Sequence, residues 1–226
     1  MKKKCTLLFL PLLLSVLVAG QKPSNIELVF KTNPLRLFNP NVPGIQAGAE
    51  LTLNRRFAFS LEYGFPFMAL TTEGLFDFYD QRSNWDYFIF TAEAKYLLPA
   101  KHCSRRHYWS AQYFVIPQSY TKGASRLLTN DGNIVSYSSS DVSKKEIGFS
   151  VNTGLETYFD KFFVDVFIGI GLKSIGIDHK LLNPSSGLLP VSNSELKPWQ
   201  DEIDLRRGVF LRPYGVVGLK LGFGPI

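Results

Sequence analysis

The sequence predicts an all-β fold, an eight-stranded antiparallel up-and-down transmembrane β-barrel. Three observations carry that expectation. Eight stretches alternate apolar with small or polar residues at a period of two, an export signal precedes them, and the links between them alternate between short and long. Successive strand side chains point to opposite faces, so each stretch is a ribbon with one apolar side. The clearest runs over 162–173. Phe162, Val164, Val166, Ile168, Ile170 and Leu172 share one face, and Phe163, Asp165, Phe167, Gly169, Gly171 and Lys173 share the other.

Residues 1–20 read as a cleaved signal peptide. Lys2, Lys3 and Lys4 form a positive start, 6–18 is apolar, and Val18, Ala19 and Gly20 offer small residues before a cut ahead of Gln21. The apolar run is shorter than the roughly 20 residues of a spanning helix, and Pro11 interrupts it. Cys5 stands at the head of the run and not after a small-residue site near its end, so no lipid anchor is expected there. The remainder, 21–226, is expected to be one outer-membrane barrel domain. Without the three signal lysines, 22 basic residues face 19 acidic ones, a net charge of +3. With no Lys/Arg-dense arm, nucleic acid is not an expected partner. Cys103 alone remains after cleavage and has no intrachain disulfide partner.

The strands are expected in this order. The first covers 25–31, with Ile26, Leu28 and Phe30 on the apolar face. The second covers 45–53, with Ala47, Ala49, Leu51 and Leu53 outward. The third, 57–64, turns Phe57, Phe59, Leu61 and Tyr63 outward. The fourth, 87–97, does so with Phe88, Phe90, Ala92, Ala94 and Tyr96. The fifth covers 108–116, the sixth 146–157, the seventh 162–173 and the eighth 213–223. Each is close to the 9–11 residues of a tilted membrane strand.

Short links at 54–56 and 158–161 and a moderate one at 99–107 fall on one end. The links 32–44, 65–86, 117–145 and 174–210 fall on the other, and they are rich in turn-forming and polar residues. Short turns at one end and long loops at the other are the pattern of outer-membrane barrels. Any extracellular partner is therefore expected at 65–86, 117–145 and 174–210, where Phe65, Phe67, Phe76, Phe78, Tyr79, Trp85 and Trp199 are candidate contact residues, members of strands that extend above the membrane, or mutual packing partners.

Composition orients the faces. A soluble ligand-binding barrel would also alternate, with its apolar side inward. Here the other face carries Gly48, Gly64, Gly148, Gly154, Gly169, Gly171, Gly218 and Gly222, which suit a cramped eight-stranded interior better than a solvent face. Phe57, Tyr96, Trp109, Phe162 and Phe223 fall near the short-turn end, as an interfacial girdle would. Parity places Glu50, Glu62, Glu93, Glu146, Glu156 and Asp165 inside with Lys31, Lys95, Lys173, Lys220 and Arg212. Buried charges need partners, so a lumen stapled by ion pairs is expected ahead of a relay or selectivity ring. A four-residue turn pairing Thr157 with Phe162 would set Glu146 opposite Lys173.

Motifs for chemistry are weak. His102, Cys103 and His107 lack a fourth zinc ligand, and Lys101–His107 reads better as a basic turn. Ser174, Asp178 and His179 imitate a hydrolase triad without the context of a nucleophile elbow. No catalytic, cofactor-binding or metal residue is assigned, and no cofactor is expected.

Three motifs carry a resemblance. Lys31-Thr32-Asn33-Pro34-Leu35, Ala47-Gly48-Ala49-Glu50 and Phe59-Ser60-Leu61-Glu62-Tyr63 resemble the opening of a family of small Gram-negative outer-membrane barrels that carries a domain-of-unknown-function label. The closing 215–223 is similar to the family's last strand. The resemblance implies an OmpA-like, porin-family barrel with no assigned activity. One departure is that Gly224, Pro225 and Ile226 follow Phe223, whereas the assembly signals of such barrels usually end on an aromatic residue. The expected role is a non-enzymatic, monomeric barrel contacting outer-membrane lipids, with a lumen plugged by side chains. A narrow or gated pore and a lipid-modifying barrel enzyme are the alternatives.

Overall fold

A computed structural model of the protein describes residues 26–38, 42–67, 82–99, 104–128, 134–182 and 206–224. The expected signal peptide and the first residues after it lie outside these, as do His102, Cys103, Phe76, Phe78, Tyr79 and Trp199. The elements are β1 (Ile26–Thr32), a 3-10 helix (Pro34–Phe38), β2 (Gly44–Leu53), β3 (Phe57–Pro66), β4 (Arg82–Tyr87), β5 (Ile89–Leu97), β6 (Arg105–Lys122), β7 (Ser125–Leu128), β8 (Ile134–Tyr137), β9 (Ser139–Phe159), β10 (Phe162–Leu182) and β11 (Gly208–Phe223). β4 continues the line of β5 and pairs with the same neighbour, β6. Sequential antiparallel pairing then runs β1-β2-β3-β5-β6-β9-β10-β11, and β11 returns to β1. This is the expected eight-stranded up-and-down barrel. β7 and β8 form a separate hairpin between β6 and β9.

The expected faces hold. Phe59, Leu61, Ile168, Ile170, Leu172 and Val217 are exposed on the outer surface, while Glu50, Glu62, Glu156, Asp165 and Lys220 are almost fully enclosed. On β10 the outward apolar row runs from Phe162 to Leu172. Ten residues at about 3.3 Å each, tilted by about 40°, give a band roughly 25 Å tall. Phe57, Tyr96, Trp109, Phe162 and Phe223 are exposed at its short-turn end. There Phe57 meets Tyr96 at 5.5 Å between ring centroids, and Phe162 meets Phe159 at 5.0 Å.

The glycines have a specific reason. A Cβ on Gly154 would lie 2.4 Å from the Tyr108 ring, and one on Gly222 would lie 2.1 Å from the Phe163 ring. Both rings belong to the paired residue on the adjacent strand. Inward rings lie flat over bare backbone, which covers the backbone and fills a lumen too narrow for two side chains.

Several expected links are shorter than the sequence suggested. The link 117–145 is mostly strand, because β6 runs to Lys122 and β9 begins at Ser139. The link 174–210 loses both ends to β10 and β11, 65–86 gives up 82–86 to β4, and 99–107 ends where β6 begins at Arg105. The link 32–44 contains the 3-10 helix. The physical reason on β9 and β10 is an inversion of polarity. Beyond Leu172 the outward row of β10 reads Ser174, Gly176, Asp178 and Lys180, while Ile175 and Ile177 turn inward and are buried. On β9 the outward row turns from Ile147 to Lys145, Ser143 and Asp141, and Val142 is buried inside. Tyr120, Val142, Ile175 and Ile177 form an apolar core in this upper section.

The β9–β10 turn is also tighter than expected. Phe159 pairs with Phe162 across Asp160 and Lys161, with Asp160 at φ 54°. Thr157 therefore faces Val164, and Glu146 faces Ile175. A shift of two residues preserves the faces. Lys173 Nζ still reaches Glu146 Oε2 diagonally, at 3.1 Å.

Candidate functional site

The lumen is the only part of the described structure where chemistry-bearing side chains converge from many strands. Near the short-turn end lies a charged plug. Lys95 on β5 stands between Asp165 on β10 and Glu156 on β9, with its Nζ 2.6 and 2.7 Å from their carboxylates. Lys31 on β1 pairs with Glu50 on β2 and lies 3.5 Å from Asp165 and 3.6 Å from Glu156. Tyr108 donates to Asp165 Oδ1 and Tyr158 to Glu156 Oε2, each at 2.6 Å. One rung away, Lys220 on β11 donates to Glu62 on β3 at 2.5 Å and to Glu93 on β5 at 2.8 Å. All of these charged groups are buried, and every one of the eight barrel strands except β6 contributes one; β6 contributes Tyr108. Such pairing offsets a desolvation cost that unpaired ions could not bear.

Five carboxylates meet three ammonium groups in this plug. Glu62 Oε2 and Glu93 Oε1 have no hydrogen-bond partner among the described residues. The plug is thus acid-rich, and a cation lies toward the short-turn end. There Arg106 stacks on Tyr158 at 4.9 Å and lies 3.7 Å from Glu27.

Toward the other end the lumen widens into a chamber of about 240 Å³. Its polar wall includes Gln46, Thr91, Glu146, Lys173 and Arg36, and its apolar wall includes Val42, Phe114, Ile116 and Phe167. Gln46 donates to Thr91 Oγ1 at 3.0 Å, and Arg36 Nε donates to Gln46 Oε1 at 3.0 Å. Glu146 is held by Lys173 and by Lys144, the latter at 3.3 Å. Asn33 Oδ1, at this chamber, has no hydrogen-bond partner among the described residues, and Tyr214 lines the chamber too.

The expected inward set is brought together with one exception. Arg212 shares the inward parity of β11 and faces Lys173 in register, yet it is exposed, on the stretch of β11 whose other edge faces no strand among the described residues. The imitation triad is dispersed. Asp178 is outward and 2.6 Å from Arg207, whereas His179 is buried on the inner face with Nδ1 3.4 Å from Ser140 Oγ. His107 points outward from β6, and its partners in the motif, His102 and Cys103, lie outside the described residues. Among the described residues no group of three or more His, Cys, Asp or Glu side chains is arranged to hold a metal. Trp85, a candidate surface contact, packs inside against Tyr87 at 4.9 Å. Phe65 remains exposed.

Sequence reasoning missed Arg36, Asn33, Tyr108, Tyr158 and Tyr214. Strand parity alone would have found Tyr108 and Tyr214, whereas Tyr158 fell in the expected link 158–161, which β9 in fact enters as far as Phe159. Arg36 and Asn33 lie in a non-strand link, where no period assigns a side.

No family model and no curated protein matches the chain. Among solved structures, it is similar to the N-terminal β-barrel domain of Pseudomonas aeruginosa OprF, at 14% identity and a TM-score of 0.36. The match covers 89% of this chain and 98% of that one.

Proposed function

We propose that the protein is an integral outer-membrane β-barrel with a side-chain-plugged lumen, acting as a structural or surface-interaction protein rather than as an enzyme or an open pore. One observation carries the reading: a barrel whose outer band is apolar for about 25 Å and whose inside is charged. A soluble barrel would place those faces the other way. Ring closure gives each barrel strand a partner on both sides, β1 and β11 over three residues only, as strands in lipid require, and the aromatic rings at the short-turn end suit one interface. The polar outer surface beyond Leu172 belongs in water.

The plug supports the non-conducting reading. Lys95, Lys31, Glu156 and Asp165 close together from four strands, leaving a blind chamber on one side. Interaction with other molecules is assigned to the long-link end, through 65–86, 117–145 and 174–210, and the barrel is read as a monomer exported through a cleaved signal.

The test is cell fractionation with alkaline extraction, followed by electrophoresis with and without heating. The reading expects the protein in the outer-membrane pellet, resistant to extraction, with faster mobility when unheated. Recovery in the soluble periplasmic fraction would overturn it.

A further inference from the structure

The barrel closes unevenly. β10 pairs along the whole of β11, from 208 to 223, but β1 pairs with β11 only through Phe30↔Phe223, Lys31↔Gly222 and Thr32↔Leu221. β1 then ends, and above Leu221 the other edge of β11 faces no strand among the described residues. The 3-10 helix lies in this place, against both β2 and β11. Much of the uncovered edge is at the level of the apolar band, since Pro213 pairs with Leu172, the last apolar residue of the β10 row. An open strand edge at acyl-chain depth is tolerated only where something covers it or where it borders a cavity.

Here it borders one. The chamber's wall includes Gly215 and Val217, which have the outward parity of β11, together with Tyr214 and Val216, which have the inward parity. The chamber therefore reaches the edge of the strand. A second cavity, about 790 Å³, lies against the outer surface between Phe149, Ile170, Leu172 and Pro213, and its lining holds no charged side chain. The two cavities share Tyr214 and Gly215 in their walls. Gly215 faces outward and carries no side chain that would cover the edge there, and a Cβ built on it would meet nothing within 4 Å.

We propose that this seam is a lipid-side portal and that the chamber behind it holds the carboxylate head of a single-chain fatty acid entering from the bilayer. The apolar outer groove is suited to the chain. The head is argued from charge. Arg36 and Lys173 line the chamber against the single carboxylate of Glu146, an excess of one positive charge that suits a monoanion. Arg36 makes no ion pair among the described residues, and its one hydrogen bond there uses Nε, leaving its other donors for a carboxylate. Asn33 and Tyr214 bring further polar atoms to the same space. The inference rests on the outer-membrane reading, because only molecules dissolved in lipid approach the seam.

The test uses the full barrel in phosphatidylcholine vesicles, with stearate carrying a nitroxide on its chain and the matching fatty alcohol as a control. Insertion is first verified by heat-modifiable mobility; a protein that does not insert defeats the outer-membrane reading itself. With inserted protein, wild type is expected to immobilise a saturable fraction of the acid, displaced by unlabelled stearate, and none of the alcohol. Arg36→Gln should weaken binding at least about tenfold by removing the charge partner, and Gly215→Trp should do so by filling the portal. The proposal is overturned if inserted wild type shows no saturable fraction, if the alcohol binds as well as the acid, or if both variants insert and bind like wild type.

Discussion

Lys95 shows how single residues hold this barrel together. Its ammonium compensates Asp165 and Glu156 at once, in a space with no water-exposed side chain. Lys95→Met keeps the length of the side chain and strands two carboxylates. It should cost about 3–5 kcal/mol in reversible unfolding from vesicles, the range for breaking a buried pair. Arg55→Ala removes a pair of 3.8 Å whose arginine is exposed, and should change stability by less than about 0.5 kcal/mol. The glycines make a second residue-scale prediction. A Cβ on Gly218 would lie 2.0 Å from the Phe167 ring. Gly218→Ala should destabilise by about 1–3 kcal/mol through overpacking, and by clearly less in a Phe167→Ala background, because the clash goes with the ring. A double-mutant cycle with additive costs would contradict the ring-over-glycine account.

At the scale of elements, β10 carries the most information. Within one unbroken strand its outward row changes from Ile168, Ile170 and Leu172 to Ser174, Gly176 and Asp178. Ile168→Arg places a charge in the middle of the band and should cost about 2–4 kcal/mol, whereas Ser174→Arg, beyond it, should cost about 0–1 kcal/mol. Unfolding titrations of the two variants check this. The same inversion explains what the sequence could and could not disclose. Alternation exposed eight strands and their faces because one rule, apolar outward, holds over the band. Past Lys173 and before Glu146 the rule reverses, so a search for continued alternation of one sign stops there and reads strand as loop. Ile175, Ile177 and Val142 are the residues that carry the reversal. The β9–β10 register failed for another reason. Turns of two and four residues leave every side chain on the same face, so parity has no power to choose between them, and the pairing of Phe159 with Phe162 decides it. The inward charges were legible one by one, and so was one pair, Glu146 with Lys173, but the partners across the lumen were not, since they depend on how the sheet closes.

The whole molecule is a layered tube. An acid-rich plug near the short-turn end gives way to a base-rich chamber, then to an apolar core where the wall rises beyond the band. Closure by eight strands makes the tube narrow enough for side chains to fill it. Planar bilayers containing the protein should therefore stay electrically silent, and steady open-channel currents would contradict the plug. Everything in this arrangement follows from which face meets lipid, and scanning β10 tests that directly. Single nitroxide labels at each position from 162 to 182, in reconstituted vesicles, can be read for collision with lipid-soluble oxygen and with a water-soluble nickel chelate. The account predicts oxygen maxima at every second residue from Phe162 to Leu172, and a change to nickel access on the same row from Ser174 onward. Oxygen maxima at Phe163, Asp165 and Phe167 instead, or no alternation at all, would contradict it.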